Sequence, residues 1–76
     1  MGAKLPQISG KEMSRVLIRL GFQMKHHKGS HMKFVKAHAF GREIVIVPDH
    51  KALRMGTLHG ILKKLNLDAE KLKELL

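Results

Sequence analysis

A Gly-Ser pair at positions 29 and 30, between two short runs of alternating polarity, commits the middle of this chain to a β-hairpin. Before the pair, Phe22, Met24 and His26 alternate with Gln23, Lys25 and His27 up to Lys28. After it, His31 opens a second alternating run that continues to about Ala37. Residues His38 to Gly41 read as the next turn. Glu43 to Val47 reads as a third strand, stopped by Pro48, which has no N–H for a ladder. The third run carries an oddity: Ile44, Val45, Ile46 and Val47 are apolar on both of its sides. An edge strand of that kind needs cover, either from a helix of the same chain or from a partner protein.

Helical signals flank the three strands. Ser9 and Glu12 make a capping box, and Met13, Val16, Leu17 and Leu20 then follow as a single apolar stripe ending at Gly21. Beyond a polar loop from Asp49 to Met55, a second helix is expected from near Gly56 to Leu65. Its stripe is Leu58, Ile61, Leu62 and Leu65, and Asn66 breaks it. Asp68 is placed to cap a short last helix carrying Leu72, Leu75 and Leu76. The order is therefore α-β-β-β-α plus a short C-terminal helix. It is an α+β plan, with a three-stranded antiparallel meander and its helices on one face. Seventy-six residues allow one small domain, residues 1–76.

Charge narrows the partners. Fifteen Lys and Arg against six Asp and Glu leave a formal charge of +9, spread over helices, strands and loops rather than gathered in a tail. A field of that sign favours nucleic acid, an acidic protein or an anionic membrane surface. Three Phe and no Trp or Tyr argue against an aromatic base-stacking platform, so contacts to nucleic acid would rest on phosphates and sugar hydroxyls. No apolar run is long enough to span a bilayer, and the first seven residues lack the pattern of a signal peptide. With no cysteine available for a disulfide or a zinc–thiolate site, a cytoplasmic protein is expected, without a membrane partner.

His31 is the residue on which chemistry converges. It sits on fixed backbone just past the turn, with Lys25, Lys28 and Lys33 close in sequence. Imidazole changes protonation between about pH 5 and 8, which suits a general base. RNA carries its own nucleophile, the 2′-hydroxyl, and a base that removes its proton starts attack on the adjacent phosphate. His31 is the candidate catalytic base, and Lys28, Ser30 and Lys33 are candidate RNA contacts. Lys51 and Arg54 join them because they precede a helix N-terminus, where backbone amides favour anions. His27, His50 or water are candidates for the proton donor. His26, His27 and His31 could be read as metal ligands. However, His26 and His27 alternate across a strand, so no metal and no cofactor is expected.

Five short motifs carry a resemblance to a known family. They are Ile8-Ser9-Gly10-Lys11-Glu12, Leu20-Gly21-Phe22, Lys28-Gly29-Ser30-His31, Val47-Pro48-Asp49-His50, and Gly56-Thr57-Leu58 with Ile61-Leu62-Lys63. In this order and spacing they resemble the HicA (YcfA-like) toxins, over nearly the whole chain. The resemblance implies a double-stranded-RNA-binding-like fold and metal-independent endoribonuclease activity on mRNA. It also implies silencing by a HicB-type antitoxin and a functional histidine at His31. Where the family often has Arg and Gln before its Lys-Gly-Ser-His, this chain has His26 and His27. A non-catalytic RNA-binding module of the same fold is the alternative reading.

Overall fold

Ser9 stands in extended backbone (φ −84°, ψ 164°), and its hydroxyl accepts the Glu12 amide at 3.0 Å while the Glu12 carboxylate accepts the Ser9 amide at 3.0 Å. Both halves of the capping box are thus made, and they start α1, Gly10–Arg19. The computed structural model describes residues 4–76. Removing this cap by Ser9→Ala is expected to cost about 1 kcal/mol. In a domain of this size that loss lowers Tm by about 4–8 °C, readable by thermal circular dichroism.

Helix α1 ends through two reciprocal backbone bonds, from the Gly21 amide to the Ile18 carbonyl and from the Phe22 amide to the Leu17 carbonyl. That closure needs a left-handed residue, and Gly21 supplies it at φ +97°. The same closure recurs at the end of α2, Met55–Leu65, where Asn66 (φ 57°) takes the left-handed position and the Leu67 amide reaches the Leu62 carbonyl. Asp68 then caps α3, Ala69–Leu75, by accepting the Lys71 amide at 2.8 Å.

Between α1 and α2 run β1 (Gln23–Lys28), β2 (His31–His38) and β3 (Gly41–Pro48), paired antiparallel in the order β1-β2-β3. The architecture is α+β with the α-β-β-β-α order expected from the sequence. All the helices lie on one face. Met32 and Phe34 of β2 and Val45 and Val47 of β3 are buried together with Met13, Val16 and Leu17 of α1, Leu58, Ile61 and Leu62 of α2, and Leu72 of α3. Ile8, Phe22 and Leu53 complete that core from the flanking loops. Among the described residues, no helix is long and apolar enough to cross a membrane.

Two expectations about the sheet are corrected. First, among the described residues, no helix covers the apolar side of β3 that faces away from the core. Val45 and Val47 point to the helices, whereas Ile44 and Ile46 pair with Val35 and Lys33 on the open face, and Ile46 is 47% exposed. Second, the alternation of Phe22, Met24 and His26 against Gln23, Lys25 and His27 does not carry through β1: Met24 and His26 fall on opposite faces. Phe22 is buried just before the strand begins, but all six residues of β1 are exposed. A β-bulge is the reason: Met24 pairs with Phe34 and His26 with Lys33, leaving Lys25 as an extra residue on β1. Side chains after an extra residue change faces, so His26 goes to the open side and His27 to the side of Met32.

Candidate functional site

Three segments meet at the end of the sheet where β1 turns into β2. Gly29, at φ +59°, is the left-handed residue of that turn, and nothing crowds it. Next to it, the Ser30 carbonyl accepts the Asp49 amide at 2.6 Å, which fastens the loop leaving β3 to the hairpin tip. The Asp49 carboxylate also stands 3.5 Å from His27 Nε2. Both side chains are partly exposed, so the pair adds less than about 1 kcal/mol to stability. Its consequence is geometric: it links the end of β1 to the exit of β3.

The third segment is the start of α1. The Gly10 amide donates to the His50 carbonyl at 2.8 Å, and the Leu53 amide donates to the Ile8 carbonyl at 2.7 Å. Gly10 lies so close to Pro48 that a Cβ there would collide with the Pro48 carbonyl oxygen. Ser14, one turn on, is the buried polar residue among those described, and its hydroxyl donates to the Gly10 carbonyl at 2.9 Å. The helix, the exit of β3 and the hairpin tip therefore form one backbone-bonded joint.

On this frame the residues singled out from the sequence separate into groups. His31 is exposed at the first position of β2, paired with Lys28 on one side and Pro48 on the other. Lys33, two residues on and so on the same face, pairs with His26 and Ile46 and is half-buried. His31, Lys28 and Lys33 thus share the helix-free face of the sheet. Ser30 lies in the turn itself. Lys51 is exposed on the loop two residues past Asp49. Arg54 is exposed at the N-cap of α2, beyond the buried Leu53, and makes no side-chain cap bond. Among the described residues, no hydrogen bond or ion pair joins Lys51 or Arg54 to the hairpin.

The other histidines take distinct places. His26 is on the face of His31, and His27 is on the opposite face beside Asp49. His50 contributes its backbone carbonyl to the joint with α1, while its side chain is exposed. His38 Nδ1 accepts the Phe40 amide at 3.3 Å in the β2–β3 turn, and His59 is exposed on α2. Among the described residues, no group of three His, Cys, Asp or Glu side chains is arranged to hold a metal ion.

Two features of this site were missed in the sequence, the His27–Asp49 pair and the turning of His26 onto the face of His31. Asp49 was visible only as part of a Pro-Asp-His motif, and a bulge leaves no mark of its own in an alternating pattern.

Electrostatically the open face is one-signed. The paired strand residues on it are Gln23, His26, Lys28, His31, Lys33, Val35, Ala37, Arg42, Ile44, Ile46 and Pro48, none of them acidic. The face combines imidazoles with ammonium groups and lacks carboxylates. That set is suited to a phosphodiester, which brings the negative charge the face lacks and accepts hydrogen bonds from cationic donors.

Residues 10–67 match the sequence model of a family described as "HicA toxin of bacterial toxin-antitoxin". The match runs from the first residue of α1 to just past α2 and includes the whole sheet. No curated protein and no solved structure matches the chain.

Proposed function

The chain belongs to the HicA toxin family, and from that premise we propose that it is a metal-independent endoribonuclease that cleaves mRNA with His31 as general base. Membership in a toxin–antitoxin family implies an antitoxin partner; a HicB-type protein in the cytoplasm is the partner we propose. The observation that carries the reading is the placement of His31. It is exposed on fixed strand backbone, with Lys28 opposite it and Lys33 on the same face.

In the proposed reaction His31 removes the 2′-hydroxyl proton and the oxygen attacks the adjacent phosphorus. The O2′–P bond forms as the P–O5′ bond breaks. The products are a 2′,3′-cyclic phosphate and a 5′-hydroxyl end. Lys28 and Lys33 bind the phosphate and offset the charge that grows on its oxygens in the transition state. In this reading Ser30, in the turn, hydrogen-bonds the RNA backbone next to the scissile link. Lys51, on the loop after β3, and Arg54, at the N-cap of α2, are the further phosphate contacts in this reading. The nucleophile belongs to the RNA, so the reaction needs no metal-activated water.

The test is cleavage of a labelled mRNA in excess EDTA with analysis of both new ends. Cyclic phosphate and 5′-hydroxyl ends are expected. Strict dependence on magnesium, or 5′-phosphate ends, would sink the mechanism. Retention of RNA without turnover would make the chain an RNA-binding module. Affinity for single-stranded RNA should fall steeply with salt, because each neutralised phosphate contributes about −0.7 to the slope of log K against log salt. Removing both Lys28 and Lys33 is expected to flatten that slope by about 1.4, measured by filter binding from low to physiological salt.

A further inference from the structure

Resting on the ribonuclease reading above, we infer that His26 is the general acid that protonates the leaving 5′-oxygen, so that cleavage runs on a His26–His31 pair built across the β1–β2 ladder. The bulge at Lys25 is the observation behind it. An unbroken alternation would have put His26 on the helix side with Met24. The extra residue turns it onto the open face opposite Lys33, where it becomes the diagonal neighbour of His31. Diagonal cross-strand neighbours stand about 7–8 Å apart, within reach of long or aromatic side chains. Two imidazoles reaching from backbone that far apart can meet one phosphate group between them, each through a hydrogen bond of about 2.7–3 Å. Lys28 and Lys33 occupy the other two corners of the same four-residue patch, as phosphate ligands.

The rival donors are less well placed. His27 faces the other side of the sheet, against Asp49. The His50 backbone is tied to Gly10, in the loop beyond Pro48. An ammonium is a weaker proton donor at neutral pH than an imidazolium, which assigns the lysines to binding. The groups facing His26 are Lys33 and His31 of β2 and Lys28 of its own strand, with the bulge residue Lys25 beside it. Of the β3 residues on that face, Ile44, Ile46 and Pro48 do not titrate and the guanidinium-bearing Arg42 stands at the far end of the strand, opposite Ala37; the helices pack on the opposite face.

The step balances. His31 accepts the 2′-hydroxyl proton as the O2′–P bond forms, and protonated His26 gives its proton to O5′ as the P–O5′ bond breaks. Afterwards His31 is protonated and His26 neutral, and exchange with water restores both. A neutral base requires the rate to fall as pH drops, and a protonated acid requires it to fall as pH rises. The wild-type pH–rate profile is therefore a bell.

The experiment is single-turnover cleavage in EDTA by wild type, His26→Gln and His31→Gln, from pH 5 to 9, on two substrates. One is ordinary RNA. The other has sulfur in place of the 5′-bridging oxygen, and its thiolate leaves without a proton because alkyl thiols ionise near about pH 8.5. On ordinary RNA, His26→Gln is expected to be about 100-fold slower and to lose the alkaline limb of the bell. On the sulfur substrate it should match wild type, while His31→Gln remains defective on both. His26 is exposed, so an unchanged melting curve is expected for its variant. A His26→Gln protein as active as wild type on ordinary RNA overturns the assignment and leaves the ribonuclease reading standing, as does one equally impaired on both substrates. A wild-type protein that cleaves neither substrate overturns both readings.

Discussion

His31→Ala is expected to lose RNA cleavage by about a thousandfold while keeping its fold and most of its RNA affinity. The side chain is exposed, and its backbone, not its imidazole, makes the ladder with Lys28 and Pro48. Removing it leaves the cationic corners Lys28 and Lys33 in place, so binding and turnover should separate. The measurement is cleavage rate beside filter binding on the same preparation, with circular dichroism as the control for folding. A thousandfold loss of rate with affinity within a fewfold of wild type fits a proton-transfer group. Parallel loss of both would make His31 a binding residue. Unchanged rate would place the chemistry elsewhere on the molecule.

The second large effect is expected at a position with no functional group at all. Gly10→Ala introduces a methyl where the Pro48 carbonyl oxygen already sits, and the Asp49 Cα is 3.1 Å away. The obstructing atoms are backbone, so no side chain can swing aside to make room. Either α1 moves off the exit of β3, breaking the Gly10–His50 hydrogen bond, or β3 shifts against β2. Overpacking of this kind costs about 3 kcal/mol or more. That is a large share of what a domain of this size has to lose. Thermal unfolding should show Tm lower by about 12–25 °C, or no cooperative transition at 37 °C. Gly56→Ala is the matching control: nothing lies near its added methyl, and it sits in the first turn of α2, so it should be neutral or slightly stabilising. The loss at Gly10 reaches function indirectly, since the same joint holds Asp49 against Ser30.

Much of this was legible in the sequence because its determinants are local. Ser9 with Glu12, Gly21, Asn66 and Asp68 each act on backbone within a turn of themselves, and each cap or stop stands where it was expected. The hairpin turn at Gly29-Ser30 and the stop at Pro48 are local in the same sense. The face that His26 occupies is not. It depends on which β2 residue each β1 residue meets, and a bulge changes that pairing without altering the alternation of residue types. The His27–Asp49 pair was hidden for a related reason, because its two members come together only once β3 has been laid against β2. The Ile44–Val47 run shows the converse. Its double-sided apolarity was visible, but the open face that receives Ile44 and Ile46 follows from all the helices packing on the other side.

The exposure of β1 along its whole length has one more consequence. The two imidazoles of the inferred pair stand on backbone of unequal permanence. His31 belongs to the central strand, hydrogen-bonded on both sides and anchored by the buried Met32 and Phe34. His26 belongs to an edge strand that buries no side chain and is interrupted by a bulge. Segments with few buried contacts open at much lower free energy than the molecule as a whole unfolds. The donor half of the pair can therefore detach and re-form while the acceptor half and the core stay intact. Cleavage would then be governed by the occupancy of a small local equilibrium, and whatever adds to or pries away that outermost strand would set the rate without touching the reacting atoms.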